Sequence, residues 1–264
     1  MIVSLLRAIN NAVSTFSTSL GSHTFHIFSE RDAESSCLSS NAFLFGVFDG
    51  HGGHSCSRHV SVLLFSYIYA SVLQKHEVKL LPPDGRLQWF FSSADTHLPN
   101  LFIESEKDQI IDYYISFIEH KDLHTVRDAL KLAFEMCDEN LCKAALPDNR
   151  SQIDRLSMAT AAAGSCATLA HVRKGNLHVA NVGNGAAVLG VVNPSGNVIA
   201  RQLSRAHCID NADEHPMYET HILRGGRLLG ELYPLRAFGD VRFKWPLDLQ
   251  KVVEKMILNA TNKR

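Results

Sequence analysis

Leu44-Phe45-Gly46-Val47-Phe48-Asp49-Gly50-His51-Gly52-Gly53 sets one carboxylate at the end of a short apolar run and follows it at once with a glycine-rich turn. Ala42 to Phe48 is almost wholly apolar and too short for a helix, so it reads as a buried strand. From His54 to about Gln74 apolar residues dominate again, with Val60, Val62, Leu63, Leu64, Ile68 and Leu73, and this stretch reads as a helix packed on the sheet. A buried carboxylate without a partner is costly, so Asp49 at such a strand end calls for a counter-charge. A hard cation would supply one. Gly50 lets the backbone turn sharply and brings its own carbonyl near the same point, and carboxylate, carbonyl and water oxygens suit Mg²⁺ or Mn²⁺. An Asp-Gly pair alone is a common turn. The ten-residue string is far more specific.

Composition narrows the rest. The chain has 264 residues, 45% of them hydrophobic, and a net charge of −1, which suits one large domain or two small ones with an ample core. No basic stripe marks a nucleic-acid footprint, and no apolar run reaches the roughly 18 residues that span a bilayer. Cys37, Cys56, Cys137, Cys142, Cys166 and Cys208 are scattered without a Cys-x-x-Cys pair, so they read as free thiols in a reducing compartment. His171 and His178 alternate with apolar residues and read as strand positions rather than ligands. Met1 to Ser29 holds no Asp or Glu, is rich in Ser and Thr, and carries Arg7 among apolar residues. Residues 1–25 therefore read as a mitochondrial presequence or as a disordered N-terminus. Residues 26–264 form the folded domain.

Period and punctuation organise the middle of the chain. Pro82, Pro83, Asp84 and Gly85 mark a loop or insertion between Leu80 and Thr96. Leu101 to His120 and Asp122 to Leu146 predict helices, the second with Val126, Leu130, Ala133, Phe134, Leu141 and Ala145 on one face. Then the period shortens. Ser165 to Val172, Leu177 to Val182, Ala186 to Val192 and Val198 to Leu203 predict strands, separated by turn residues at 173–176, 183–185 and 193–197. They predict an antiparallel meander within an α+β layout. Gly183-x-Gly185 is not a dinucleotide fingerprint, because the third glycine and the strand–turn–helix context are missing.

Several motifs then converge. Asp49-Gly50-His51-Gly52-Gly53, Ala163-Gly164-Ser165-Cys166-Ala167-Thr168, Leu177-His178-Val179-Ala180-Asn181-Val182-Gly183-Asn184 and Arg236-Ala237-Phe238-Gly239-Asp240 resemble the signatures of the metal-dependent protein phosphatases, the protein phosphatase 2C family. Arg242-Phe243-Lys244-Trp245, Asp248-Leu249-Gln250 and the long helical insertion are similar to one branch, the mitochondrial pyruvate dehydrogenase phosphatases. The resemblance runs from about Phe28 to Leu249. It implies an antiparallel β-sandwich flanked by helices (αββα), here C-terminally incomplete because the family's later metal-binding acids have no counterpart. It implies a protein serine/threonine phosphatase with two Mg²⁺ or Mn²⁺ ions. Asp49 would bridge them, the Gly50 carbonyl and Glu30 would ligate one, and His51 would stand near the leaving group as an acid. The implied substrate is phosphoserine on the E1 component of the pyruvate dehydrogenase complex, in the mitochondrial matrix.

Other positions depart from the family. Ser29-Glu30 stands where the family has Glu-Asp, Asn184 where it has Asp, and Ala206-His207 where it has Asp-His. These departures favour a second reading, a pseudophosphatase or truncated product acting as a binding module on the same complex. A third reading, a zinc hydrolase built on His51, His54 and His59, suffers from the five-residue spacing of the last two, which aligns them poorly on one helical face.

Overall fold

The computed structural model describes residues 17–20, 23–30, 42–72, 82, 104–119, 125–173, 175–214 and 222–261. Three strands come first: β1 Ser17–Leu20, β2 His23–Glu30 and β3 Ala42–His51. Four helices follow: α1 Ser55–Val72, α2 Glu104–Glu119, α3 Val126–Ala144 and α4 Arg155–Ala162. Then come β4 Gly164–Arg173, β5 Asn176–Val182, β6 Val188–Val192 and β7 Val198–Gln202. Two-residue strands β8 Leu223–Arg224, β9 Arg227–Leu228 and β10 Phe238–Gly239 lead to helices α5 Val241–Lys244 and α6 Leu247–Thr261.

One antiparallel sheet organises these elements in the order β1-β2-β3-β4-β10, with β5 also paired to β4. Strand β4 holds β3 along its whole length on one side. On its other side it holds β5 against residues 167–173 and β10 against Gly164 and Ser165. Strand alternation turns Phe48 and Leu169 toward the helices, where both are fully buried. Val47 faces the other way and is 40% exposed. The Phe48 ring meets Phe65 of α1 at 5.9 Å between centroids.

Helix α1 is buried nearly all round, between the sheet, α2 and α3. Val60, Leu64, Tyr67 and Ile68 belong to the core. Two of its buried serines return their hydroxyls to the helix backbone: Ser61 Oγ donates to the Arg58 carbonyl at 2.8 Å and Ser71 Oγ to that of Tyr67 at 2.7 Å. Tyr67 stacks on Tyr113 of α2 at 4.7 Å and accepts a 2.6 Å hydrogen bond from Asn140 of α3. Helix α3 starts at Thr125, whose side chain accepts from the Asp128 amide. It buries Ala129, Ala133, Cys137 and Leu141, a stripe at every fourth residue beside Leu130.

The α+β layout, β3, α1, α3 and β4 agree with the sequence reading. The single meander does not. Strands β4 and β5 pair in the main sheet, but β6 and β7 form a separate two-stranded sheet. The reason lies at the turn after β5. Gly183 donates from its amide to His207 Nδ1 at 3.1 Å and accepts from the His207 amide at 2.9 Å. The chain is thus tied to the 204–207 segment and cannot fold β6 back onto β5. Helices α4 and α6 were not anticipated. The described residues form one large sheet and do not complete a two-sheet sandwich. Strand β1 and the start of β2 fall within residues 1–25, so part of that segment is sheet. Residues 1–16, and the predicted 80–96 loop apart from Pro82, lie outside the described residues. No described helix is long and apolar enough to cross a membrane.

Candidate active site

The motif at the end of β3 lies where three strands meet. Asp49, Gly50 and His51 face Cys166, Ser165 and Gly164 across β4, and Gly164 and Ser165 also pair with Gly239 and Phe238 of β10. His51, Gly164 and Gly239 therefore stand in one row. Gly164 is required in the middle of it. A Cβ there would lie 2.0 Å from His51 Nε2 and 2.5 Å from Asp240 Oδ2, the two atoms that bond directly over it.

That bond joins residues 189 positions apart: His51 Nε2 and Asp240 Oδ2 are separated by 2.6 Å. Asp240 is 6% exposed. It occupies the residue before α5 in a left-handed conformation, φ +52°, and makes no side-chain cap to that helix, since its carboxylate is turned to His51. Gly239 beside it has φ +70°. The Asp240 amide donates to the Ala163 carbonyl at 3.0 Å, which fixes this corner against the start of β4.

His51 is strongly perturbed. Burial lowers its pKa, but the hydrogen bond and charge of Asp240, with help from Cys166, outweigh burial and raise it to about 9. The imidazolium is therefore the form held at neutral pH. A raised folded-state pKa adds stability that is complete below the unfolded value near 6.5 and is lost as pH rises through about 9. Urea unfolding in metal-free buffer should show this contribution, at most about 3 kcal/mol, present at pH 6 and gone by pH 10. It is read as the difference between the wild type and Asp240→Asn. Parallel pH profiles for the two proteins would show that the pair contributes nothing.

Cys166, opposite Asp49, is buried and donates from its thiol to Asn184 Oδ1 at 3.3 Å. Asn184 thus ends up near the site at the Gly183 turn. Arg236 pairs instead with the buried Glu214 at 3.0 Å and braces the 205–214 loop. Next to the site, α3 and β5 enclose a cavity of about 700 Å³ lined by Arg127, Lys131, Asp138, His178, His207 and Arg236 among others.

Glu30 is not brought to this place. The β2–β3 register sets it opposite Ala42, whereas Asp49 lies opposite His23. Seven residues of strand, about 23 Å, separate the two positions, so the expectation that Glu30 shares an ion with Asp49 is corrected by strand register. Asp49 and the Gly50 carbonyl remain adjacent at the sheet's end and are hard oxygen donors of the kind Mg²⁺ or Mn²⁺ takes. They fit one edge of a cation site. Among the described residues no three His, Cys, Asp or Glu side chains gather to hold a metal, and Asp240 is engaged by His51. The same observation leaves the zinc reading of His51, His54 and His59 without a ligand group.

Sequence reasoning missed Asp138. Its Oδ1 accepts from the Gly239 amide at 2.8 Å and its Oδ2 pairs with Lys244 Nζ at 2.6 Å. The signal available in the sequence was its position, one residue past the buried Cys137, where a carboxylate at the margin of an apolar stripe needs partners.

A family description, Protein phosphatase 2C, matches residues 92–259. Human [Pyruvate dehydrogenase [acetyl-transferring]]-phosphatase 1, mitochondrial, is 36% identical over 247 residues, which cover 85% of this chain and 45% of that protein. Human [Pyruvate dehydrogenase [acetyl-transferring]]-phosphatase 2, mitochondrial, is 32% identical over 246 residues, 85% of this chain and 46% of that one. The chain thus spans about half the length of the curated relatives it matches. Among solved structures, a C. elegans sex determining protein aligns with a TM-score of 0.49 and 17% identity, covering 87% of this chain and 43% of that one.

Proposed function

This chain belongs to the protein phosphatase 2C family, and from that membership we propose a metal-dependent protein serine/threonine phosphatase that hydrolyses phosphoserine esters. The observation that carries the proposal is the meeting of Asp49, His51 and Asp240 at one end of the sheet. Metal dependence is a property of the family. Asp49 and the Gly50 carbonyl would hold a divalent cation, whose chemistry when bound is to acidify a water and to offset charge on the phosphoryl oxygens. His51 holds the proton that the leaving serine oxygen needs. Asp240 fixes the ring and keeps it charged. No cysteine or serine nucleophile is required.

The finer parts of the reading follow from the relatives. The fold would be the family's two-sheet sandwich, of which the described residues supply one large sheet. The substrate would be phosphoserine on the E1 component of the pyruvate dehydrogenase complex, and the site of action the mitochondrial matrix, since both human relatives are named as mitochondrial pyruvate dehydrogenase phosphatases. The basic side chains of the cavity between α3 and β5 suit an acidic phosphoprotein surface.

A second reading has its own support. Asn184 is neutral and already engaged by Cys166, and the described residues supply no third ligand near Asp49. A pseudophosphatase would bind its partner without metal. Hydrolysis of a phosphoserine peptide with Mn²⁺, and again with the metal chelated, separates the two. Release that needs Mn²⁺ supports the phosphatase, and no release at millimolar Mn²⁺ leaves the binding module.

A further inference from the structure

We propose that Asp138 of α3 is a positioning residue for the His51–Asp240 pair, acting by clamping the corner that presents Asp240; this rests on the phosphatase reading of the site. Asp240 reaches His51 only because two successive residues, Gly239 at φ +70° and Asp240 at φ +52°, take the left-handed conformation. For a residue with a side chain that conformation costs on the order of 1–2 kcal/mol, so something must hold it.

Asp138 holds it from outside, with both oxygens. Oδ1 accepts the Gly239 amide at 2.8 Å, on the residue just before Asp240. Oδ2 pairs with Lys244 Nζ at 2.6 Å, and the same ammonium donates to the Ala237 carbonyl at 2.8 Å. The segment from 237 to 244 is thus gripped at its start, at its corner and at its end, with Asp240 inside the grip. The clamp is anchored in the core, because Cys137, next to Asp138 on α3, is 2% exposed. The Asp138 carboxylate touches neither His51 nor Asp49 in any of these contacts, so its influence on chemistry passes through the backbone of Gly239. A displacement of about 1 Å at such a corner is enough to cost up to about 100-fold in rate.

The variants Asp138→Ala and Asp138→Asn test the proposal. Alanine loses both contacts, whereas asparagine keeps an oxygen for the Gly239 amide and turns an NH2 toward Lys244, losing that ion pair alone. With a phosphoserine peptide and Mn²⁺, Asp138→Ala should lower kcat about 10–100-fold with little change in KM, and Asp138→Asn should recover most of it. In an Asp240→Ala background, Asp138→Ala should cause no further loss, because the side chain it positions is gone. An equal loss in both backgrounds, or a loss confined to KM, would overturn the role.

Amide hydrogen exchange tests the clamp without catalysis. Gly239 should lose protection in Asp138→Ala and keep it in Asp138→Asn. Unchanged protection in the alanine variant would sink the clamp even if the enzyme reading stands. No turnover by the wild type, with protection behaving as stated, would overturn the phosphatase reading and leave a clamp that serves the fold.

Discussion

Asp49→Asn should abolish metal-dependent phosphate release while leaving the fold in place. Asparagine has the same shape as aspartate, so β3 keeps its register opposite Cys166 and His23. Asp49 is only partly buried, and the change in unfolding free energy should stay within about 0.5 kcal/mol. The chemistry is another matter. A neutral amide is a poor ligand for a hard cation, and losing the metal's charge stabilisation, worth several kcal/mol, lowers the rate by roughly 1,000-fold or more. Phosphate release and Mn²⁺ calorimetry should be measured on the same two proteins. Loss of both in the variant is the expected result. A variant that keeps a tenth of the wild-type rate would show that Asp49 is a strand-end turn residue and nothing more. Mn²⁺ binding lost in the variant, without turnover in either protein, would mark a metal-binding pseudophosphatase.

Local patterns told most of the fold. The run from Ala42 to Phe48 is a strand because alternate residues meet α1, and the stripe on α3 is helical because its apolar residues recur at every third or fourth position. Both signals lie within twenty residues. What escaped was long-range. Nothing local says that Gly183 will bond to His207, yet that tie separates β6 from β5. The family resemblance put Glu30 beside Asp49, but a motif match does not set the register of a hairpin, and seven residues along the strand move a ligand by about 23 Å. Half of the site was legible, since Asp49, Gly50 and His51 are contiguous. The other half, Asp240 and Asp138, comes from segments 189 and 87 residues beyond His51 and is set by how β10 pairs with β4 and α3 packs on β10 and β5. The glycines at 164 and 239 were visible as motif letters, but their reason, two strands and a side-chain pair crossing within bonding distance, exists only in three dimensions.

Gly239→Ala should destabilise the protein by about 2–5 kcal/mol in urea unfolding. Two costs combine. The left-handed φ of +70° is unfavourable for alanine by about 1–2 kcal/mol. The new Cβ would also lie 2.2 Å from the Ala163 carbonyl oxygen and 3.0 Å from Cys56 Sγ. The first of these is backbone and cannot swing aside. It accepts the Asp240 amide, and its neighbour Gly164 pairs with Gly239 itself. Relief therefore means moving β10 off β4, which adds about 1–3 kcal/mol and weakens the contact with Asp138. Gly225 provides the control. It has φ +55° in the turn between β8 and β9, and a Cβ there meets nothing within 4 Å. Gly225→Ala should cost only the conformational part, about 1–2 kcal/mol. A loss at Gly239 no larger than that at Gly225 would show that the corner yields easily. A larger loss would mean that the backbone holding Asp240 against His51 is the same backbone that closes β10 on the sheet. The site could then be loosened only by loosening the fold, and Gly239→Ala should also flatten the pH dependence of stability that the His51–Asp240 pair creates.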